Sequence, residues 1–361
     1  MMSSHPPSWL RDIASRVDAR LGEFLNSETT RWKSLDADLA LPLGEISRLV
    51  GAGGKRLRPA FCYLGFIGAG GDENSAKLVD AQAALELLHA SALLHDDVID
   101  GSLTRRGEPT SHARYTKTHK DNSWASDARR FGEGAAVLIG DLAFVYADQL
   151  IDVANNDVAK IWNEMRVELN IGQYLDLLGS AQRERRLIKA ERVSRYKSGK
   201  YTIERPLHLG ATLATSVSPV STSQLLPALS KYGLPLGDAF QMRDDVLGAF
   251  DFADSDKNLT GKPVGDDLRE GKPTPLLAMA FERADSVQRK VLDLVGSVDI
   301  SDQDVNKIQE VIKQTGALAE LEAKISALTA EAIAGVKQAP ITQSAKDSLI
   351  ELADYISQRT T

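Results

Sequence analysis

The sequence predicts an all-α protein folded as one large helical bundle. Three observations predict it. Apolar residues recur every three or four positions along most of the chain. Runs that alternate apolar and polar residues are scarce, and no β-hairpin signal stands out. No Pro/Ser/Gly-rich linker divides the 361 residues, and no solenoid period repeats. The expected organisation is a flexible N-terminal tail over 1–8 and a single domain over 9–361.

The elements follow in order. Ile13, Val17, Leu21, Phe24 and Leu25 share one helix face. Residues 81–100 form a helix apolar on nearly every side, a pattern that belongs in the middle of a protein. The helical pattern continues over 135–153, 161–178, 228–250 and 275–294, then over 301–315, 317–336 and 342–359. Three stretches are irregular: 51–54 with three glycines, the polar 101–134, and 251–272 with its recurring Gly, Asp and Lys. Loops this long in a compact domain are usually functional or mobile, and they should gather at one end of the bundle.

Composition narrows the function. Hydrophobic residues make up 43% and charged residues 26%, an ordinary globular balance. The net charge of −7 argues against nucleic acid as the main partner, which needs a positive field. No apolar run approaches the roughly 20 residues of a transmembrane helix. The start of the chain has no apolar segment of the secretory kind. Cys62 is the sole cysteine, so no intrachain disulfide is expected, and a reducing, cytoplasmic setting fits.

The strongest chemical signal is His95-Asp96-Asp97-Val98-Ile99-Asp100. Asp96 and Asp100 stand i and i+4, about 6 Å apart along a helix axis. Three aspartates at a helix C-terminus oppose its dipole and one another unless cations offset them. Hard oxygen ligands of this kind suit Mg²⁺. A second pair, Asp244-Asp245, also closes an apolar helical run, with Gln241 on the face of Asp244. Two helices ending in aspartate pairs could meet across a cavity and share metal ions.

Two basic clusters complement the acids. Gly53-Gly54-Lys55-Arg56-Leu57-Arg58-Pro59 puts three cations after two glycines, where backbone can approach a phosphate. It lacks the Gly-x-x-x-x-Gly-Lys-Ser/Thr pattern of a nucleoside triphosphatase. Arg105-Arg106-Gly107 follows Asp100 by five residues and could clamp a polyanion that the metals also hold. His89, seven residues before Asp96, faces the same way two turns earlier.

Taken together, these motifs resemble the trans-polyprenyl diphosphate synthases, which make geranyl, farnesyl, geranylgeranyl and longer prenyl diphosphates. Gly140-Asp141 and Gly261-Lys262 add to the match, in the same order along the chain. The resemblance implies helices around a central apolar cavity, and Mg²⁺ as cofactor. It implies isopentenyl diphosphate and an allylic diphosphate as substrates, and a homodimer. It assigns Lys55, Arg58, His89 and Arg106 to isopentenyl diphosphate. It assigns Arg105, Lys200, Gln241 and Lys262 to the allylic diphosphate, with Tyr201 beside Lys200. Asp96, Asp100 and Asp244 would ligate Mg²⁺, supported by Asp97 and Asp245.

The chain departs from the family pattern at two points. The second acidic motif usually ends in a third aspartate, where Gly248 stands here. Lys200-Tyr201 takes the place of the usual Lys-Thr, with Thr202 one residue on. The rivals are a terpene cyclase and a non-catalytic subunit of a heteromeric synthase. A cyclase would carry a different second motif, and such a subunit should have lost one acidic motif. The helix before Asp96 bears on product length. Ser91 and Ala92 are small where farnesyl-producing relatives carry an aromatic residue, and Leu88 and Leu85 lie deeper. That predicts geranylgeranyl diphosphate with some farnesyl diphosphate, or a longer chain if Leu88 yields.

Overall fold

A computed structural model describes residues 6–250, 265–297 and 299–358. The N-terminal half opens with α1 (Ser8–Lys33), α2 (Ala40–Gly51), α3 (Leu57–Gly68) and α4 (Ala76–Ile99). A two-strand ribbon, β1 (Thr104–Arg105) and β2 (Glu108–Pro109), precedes α5 (Ser111–Asp121), α6 (Ala128–Leu150) and α7 (Asn156–Ala181). Then come α8 (Leu187–Val193), a π-helix over Ser194–Glu204, α9 (Arg205–Leu213) and α10 (Thr222–Ala249). The rest is α11 (Asp266–Glu270), α12 (Pro275–Arg283), α13 (Ser286–Leu292), α14 (Asp302–Gln314), α15 (Ala317–Lys337) and α16 (Gln343–Gln358). Among the described residues no helix is long and apolar enough to cross a membrane.

The expected all-α class holds, and α4 is its centre. Leu78, Ala83, Ala84, Leu85, Leu87 and Leu88 are all buried, so α4 has no wet face over most of its length. One core joins α4 to α1, α2, α3, α6, α7, α9 and the first half of α10. A second core gathers the end of α10 with α12, α14 and α15. The C-terminal ends of α4 and α10 both reach the same cavity, which is how residues 148 positions apart meet there.

The structure corrects three local expectations. The run 275–294 is two helices, because Asp285 caps α13 through a reciprocal box with Gln288 and breaks the run. The polar stretch 101–134 holds α5, packed on α6 and closed by ring contacts among His119, Trp124 and Phe131. It also holds a hairpin that carries no Asn-Gly or Asp-Gly signal. Arg106 and Gly107 form its turn, both with positive φ (55° and 76°), as a two-residue turn of this hand requires.

Candidate active site

A cavity of about 1020 Å³ opens among α2, α3, α4, the π-helix, α10 and α11. Among the described residues, its wall carries seven basic and seven acidic side chains. Leu49, Val50, Leu57, Ala90, Leu93, Val193 and Phe240 supply its apolar part. The expected residues Lys55, Arg58, His89, Asp96, Arg105, Arg106, Gln241, Asp244 and Asp245 all line it.

The basic end is built by an unusual backbone. Arg56 precedes α3 with φ of 46°, a conformation rare outside glycine. Its buried guanidinium holds that shape, with ion pairs to Glu86 at 2.5 Å and Asp18 at 2.6 Å and a bond to the Val50 carbonyl at 2.7 Å. Lys55 and Arg58 are thereby fixed on either side of it. Arg58 lies over the Tyr201 ring at 4.4 Å and donates to Thr202 Oγ1 at 3.0 Å. Arg106 donates to the Gly53 carbonyl and so ties the ribbon turn to the glycine loop. His89 Nδ1 is buried without a partner. Burial first, then the charges of Arg58, Arg105, Arg106 and Arg56, hold its imidazole well below the usual range, so it is neutral.

The acidic end is a lattice of ion pairs. Asp96 receives Lys197 Nζ at 3.1 Å and Gln173 Nε2 at 2.9 Å, with Arg105 at 3.5 Å. Lys197 also meets Asp176 at 2.5 Å. Lys272 stands 3.2 Å from Asp100, 3.0 Å from Glu270 and 3.8 Å from Asp267. Burial alone would lower both ammonium groups. Asp96 and Asp176 outweigh it at Lys197, and Asp267, Asp100 and Glu270 at Lys272, so both are raised. Gln241 donates to Asp245 Oδ1 at 2.8 Å, while Asp245 Oδ2 is buried without a partner. Burial, reinforced by the charges of Asp267 and Asp244, pushes the Asp245 carboxyl well above the usual carboxylate range.

Several expected residues sit off the cavity wall. Asp97 is buried and turned to Arg105, at 2.7 and 2.9 Å, so it orients that guanidinium. Asp100 is reached through Lys272. Lys200 points the other way, onto Glu168, and Tyr201 backs the wall behind Arg58. Lys197, Ser198 and Thr202 take the wall positions in their place. The physical reason is the wide helix: hydrogen bonds running i→i+5 turn Lys200 away from Lys197. Lys262 lies outside the described residues. Of the residues expected along the tail's path, Leu85, Leu88 and Ser91 are buried and Ala92 is half-buried, and none lines the cavity; the apolar residues of α4 that do are Ala90 and Leu93.

Sequence reasoning missed Lys197, Lys272, Asp267, Gln173 and Asp176. A signal existed for two of them. Lys197-Ser198 is a lysine followed directly by a hydroxyl, which Lys200-Tyr201 is not. Gly271-Lys272 repeats the Gly-Lys dipeptide of 261–262. Among the described residues no ready-made cluster of three metal-ligating side chains exists, because lysines stand between the carboxylates. The donor set still fits divalent cations. Carboxylates of α4, α10 and α11 face one space, and Asp245 keeps a buried oxygen without a partner.

Comparison with known proteins points one way. The family model described as polyprenyl synthetase matches residues 43–315. The chain is similar to a short chain isoprenyl diphosphate synthase of Methanothermobacter thermautotrophicus, 31% identical over 97% of each chain. It is 30% identical to a geranylfarnesyl diphosphate synthase of Aeropyrum pernix, covering 88% of this chain and 93% of that one. A geranylgeranyl pyrophosphate synthase of Corynebacterium glutamicum, solved with isoprenyl diphosphate and magnesium, superposes with a TM-score of 0.89. It is 37% identical, covering 97% of this chain and 99% of that one.

Proposed function

The chain belongs to the polyprenyl synthetase family and is a trans-prenyltransferase. From that premise we propose that it joins isopentenyl diphosphate head-to-tail to allylic diphosphates with Mg²⁺. Its main product is geranylgeranyl diphosphate, with some farnesyl diphosphate. The observation that carries this reading is the pairing of two anion sites across one cavity: Lys55, Arg58 and Arg106 at one end, Arg105, Lys197 and Lys272 at the other.

Isopentenyl diphosphate sits at the first end, beside neutral His89, which can donate or accept one hydrogen bond there. The allylic diphosphate sits at the second, where Asp96, Asp100 and Asp244 would hold divalent cations, with Asp245 and Asp267 behind them. Bound divalent cations supply positive charge to the leaving diphosphate. Arg105, Lys197, Lys272 and Gln241 add fixed donors aimed at the same group, where charge develops as the allylic C–O bond breaks. The isopentenyl double bond attacks the resulting carbocation, forming the new C–C bond. A proton then leaves the adjacent carbon for the departing diphosphate. No side-chain base is needed.

Two features support the finer points. Ala90, the small residue of α4 on the cavity wall, and its neighbours Ser91 and Ala92 place no aromatic stop beside the tail's path, and the Corynebacterium protein is a geranylgeranyl synthase by name. Large apolar residues stay exposed along α6 (Leu138, Val145) and α7 (Val167, Ile171, Tyr174), a surface suited to a second copy and hence to a homodimer. A cyclase or inactive subunit is disfavoured, because both the Asp96 and Asp244 pairs and the whole basic end are kept. The test is incubation with labelled isopentenyl diphosphate and dimethylallyl, geranyl or farnesyl diphosphate, with and without Mg²⁺. Mainly C20 product, lost with a chelator and restored by Mg²⁺, is expected. No condensation from any primer overturns the reading.

A further inference from the structure

The π-helix over Ser194–Glu204 sets two faces at once. Its cavity face is Ser194, Lys197, Ser198 and Thr202, repeating every four to five residues. Lys197 reaches Asp96 at one end of the cavity, and Thr202 accepts from Arg58 at the other. At about 100° per residue, an α-helix would set positions five apart roughly 140° round the axis. Lys197 and Thr202 could not then share a wall. A turn of roughly four and a half residues brings them back into line.

The outer face carries the same spacing. Lys200 and Arg205 are also five apart, and both grip one buried carboxylate, Glu168 of α7. Arg205 binds it in a fork, Nε at 2.6 Å and Nη2 at 2.7 Å, and Lys200 Nζ lies against Oε1. The segment is also pressed by glycines, from α7 on the Glu168 side and from α10 on another. A β-carbon at Gly172 would strike the Lys197 backbone, and one at Gly237 would lie 2.8 Å from the Gly199 carbonyl carbon. Packing thus brings the π-helix close, while the Glu168 contact spans a full wide turn, from Lys200 to Arg205.

We propose that Glu168 is a register clamp, a positioning residue whose carboxylate, shared by Lys200 and Arg205, holds residues 194–204 in the wide turn and so delivers Lys197 and Thr202 to the two diphosphate ends together. It rests on the reading of the cavity as the diphosphate site. Lys200 accordingly acts through Lys197 and touches no substrate.

A double-mutant cycle tests this. Lys200→Met removes one arm of the clamp and leaves the Glu168–Arg205 fork intact, so no buried carboxylate is orphaned. Glu168→Gln loosens both arms. Each is combined with Lys197→Ala and read two ways: affinity for inorganic pyrophosphate in Mg²⁺ by calorimetry, and kcat and KM for each substrate. Each clamp variant should weaken pyrophosphate binding and allylic kcat/KM by about tenfold, and have little further effect once Lys197 is alanine. If the losses multiply undiminished in the Lys197→Ala background, the clamp does not act through Lys197 and the proposal fails. Full pyrophosphate affinity in folded Lys200→Met and Glu168→Gln proteins overturns it as well. A wild-type protein that binds pyrophosphate but condenses nothing refutes the proposed reaction instead, and the calorimetric cycle still decides the clamp.

Discussion

The Asp267 carboxylate lies against the α-carbon of Gly248, so close that a β-carbon at 248 would collide with it. Gly248 leaves bare the position where a third aspartate would follow Asp244 and Asp245, and α11 fills that space with a carboxylate of its own. The acidic end is therefore assembled from two helices where one motif was expected.

Gly248→Ala should displace Asp267 and leave the fold standing. Overpacking of this kind costs about 1–3 kcal/mol. The Mg²⁺ concentration for half-maximal activity should rise several-fold, because a supporting carboxylate has moved. Mg²⁺ titration beside thermal unfolding checks it. An unchanged Mg²⁺ requirement would remove Asp267 from the metal end.

Arg58→Ala should raise the KM for isopentenyl diphosphate about tenfold or more and spare that of the allylic substrate. Arg105 needs a gentler change, since Arg105→Ala would take a close ion pair from the buried Asp97 and cost about 3–5 kcal/mol. Arg105→Lys keeps the charge and loses the fork, and should lower kcat with the allylic KM raised. Equal effects on both substrates from both variants would refute the two-ended assignment.

Stability should respond to pH through His208, beside the Glu168 clamp. Its Nε2 donates to the Leu226 carbonyl at 3.0 Å, and its Nδ1 accepts from Arg205 at 3.4 Å. Burial, then the Arg205 charge, lowers its pKa to about 4. The unfolded chain binds a proton near 6.5 that the folded chain refuses, so stability present above 6.5 is lost as pH falls toward about 4. The full loss is of order 3 kcal/mol. His208→Gln should flatten that limb, measured as urea unfolding at several pH values relative to wild type. Parallel curves would show that His208 does not titrate on unfolding.

Product length should shorten in Ala92→Phe. Ala92 is half-buried and has some room, whereas Ser91 is buried and would be overpacked. A folded Ala92→Phe enzyme is expected to move from C20 toward C15 product, read by mass spectrometry. The same product lengths as wild type would mean that the tail passes elsewhere, along Ala90 and Leu93.

Much of this arrangement was legible in the sequence. The aspartate pairs and basic clusters lie on contiguous segments, so spacing alone brings out Asp96, Arg58 and Asp244. The buried centre was legible in α4, whose apolar residues cover every face. What stayed hidden depends on helix width and on distant packing. Lys197 and Lys200 look equivalent until the turn widens. Asp267 means nothing as a ligand until it is seen against Gly248. Arg56 reads as one more cation in a run, yet it is spent on Glu86 and Asp18, shaping the loop that its neighbours use.

The wide turn makes chain length itself a requirement of the site. Between Lys197 and Thr202 the number of residues matters as much as their kind. Adding one would carry Thr202 roughly 80° further round the axis and off the cavity wall, even with every named side chain retained, whereas removing one and tightening to an α-turn keeps the two in line. Tolerance here should therefore be lopsided: a single deletion between Lys197 and Thr202 that tightens the spiral should be borne far better than a single insertion.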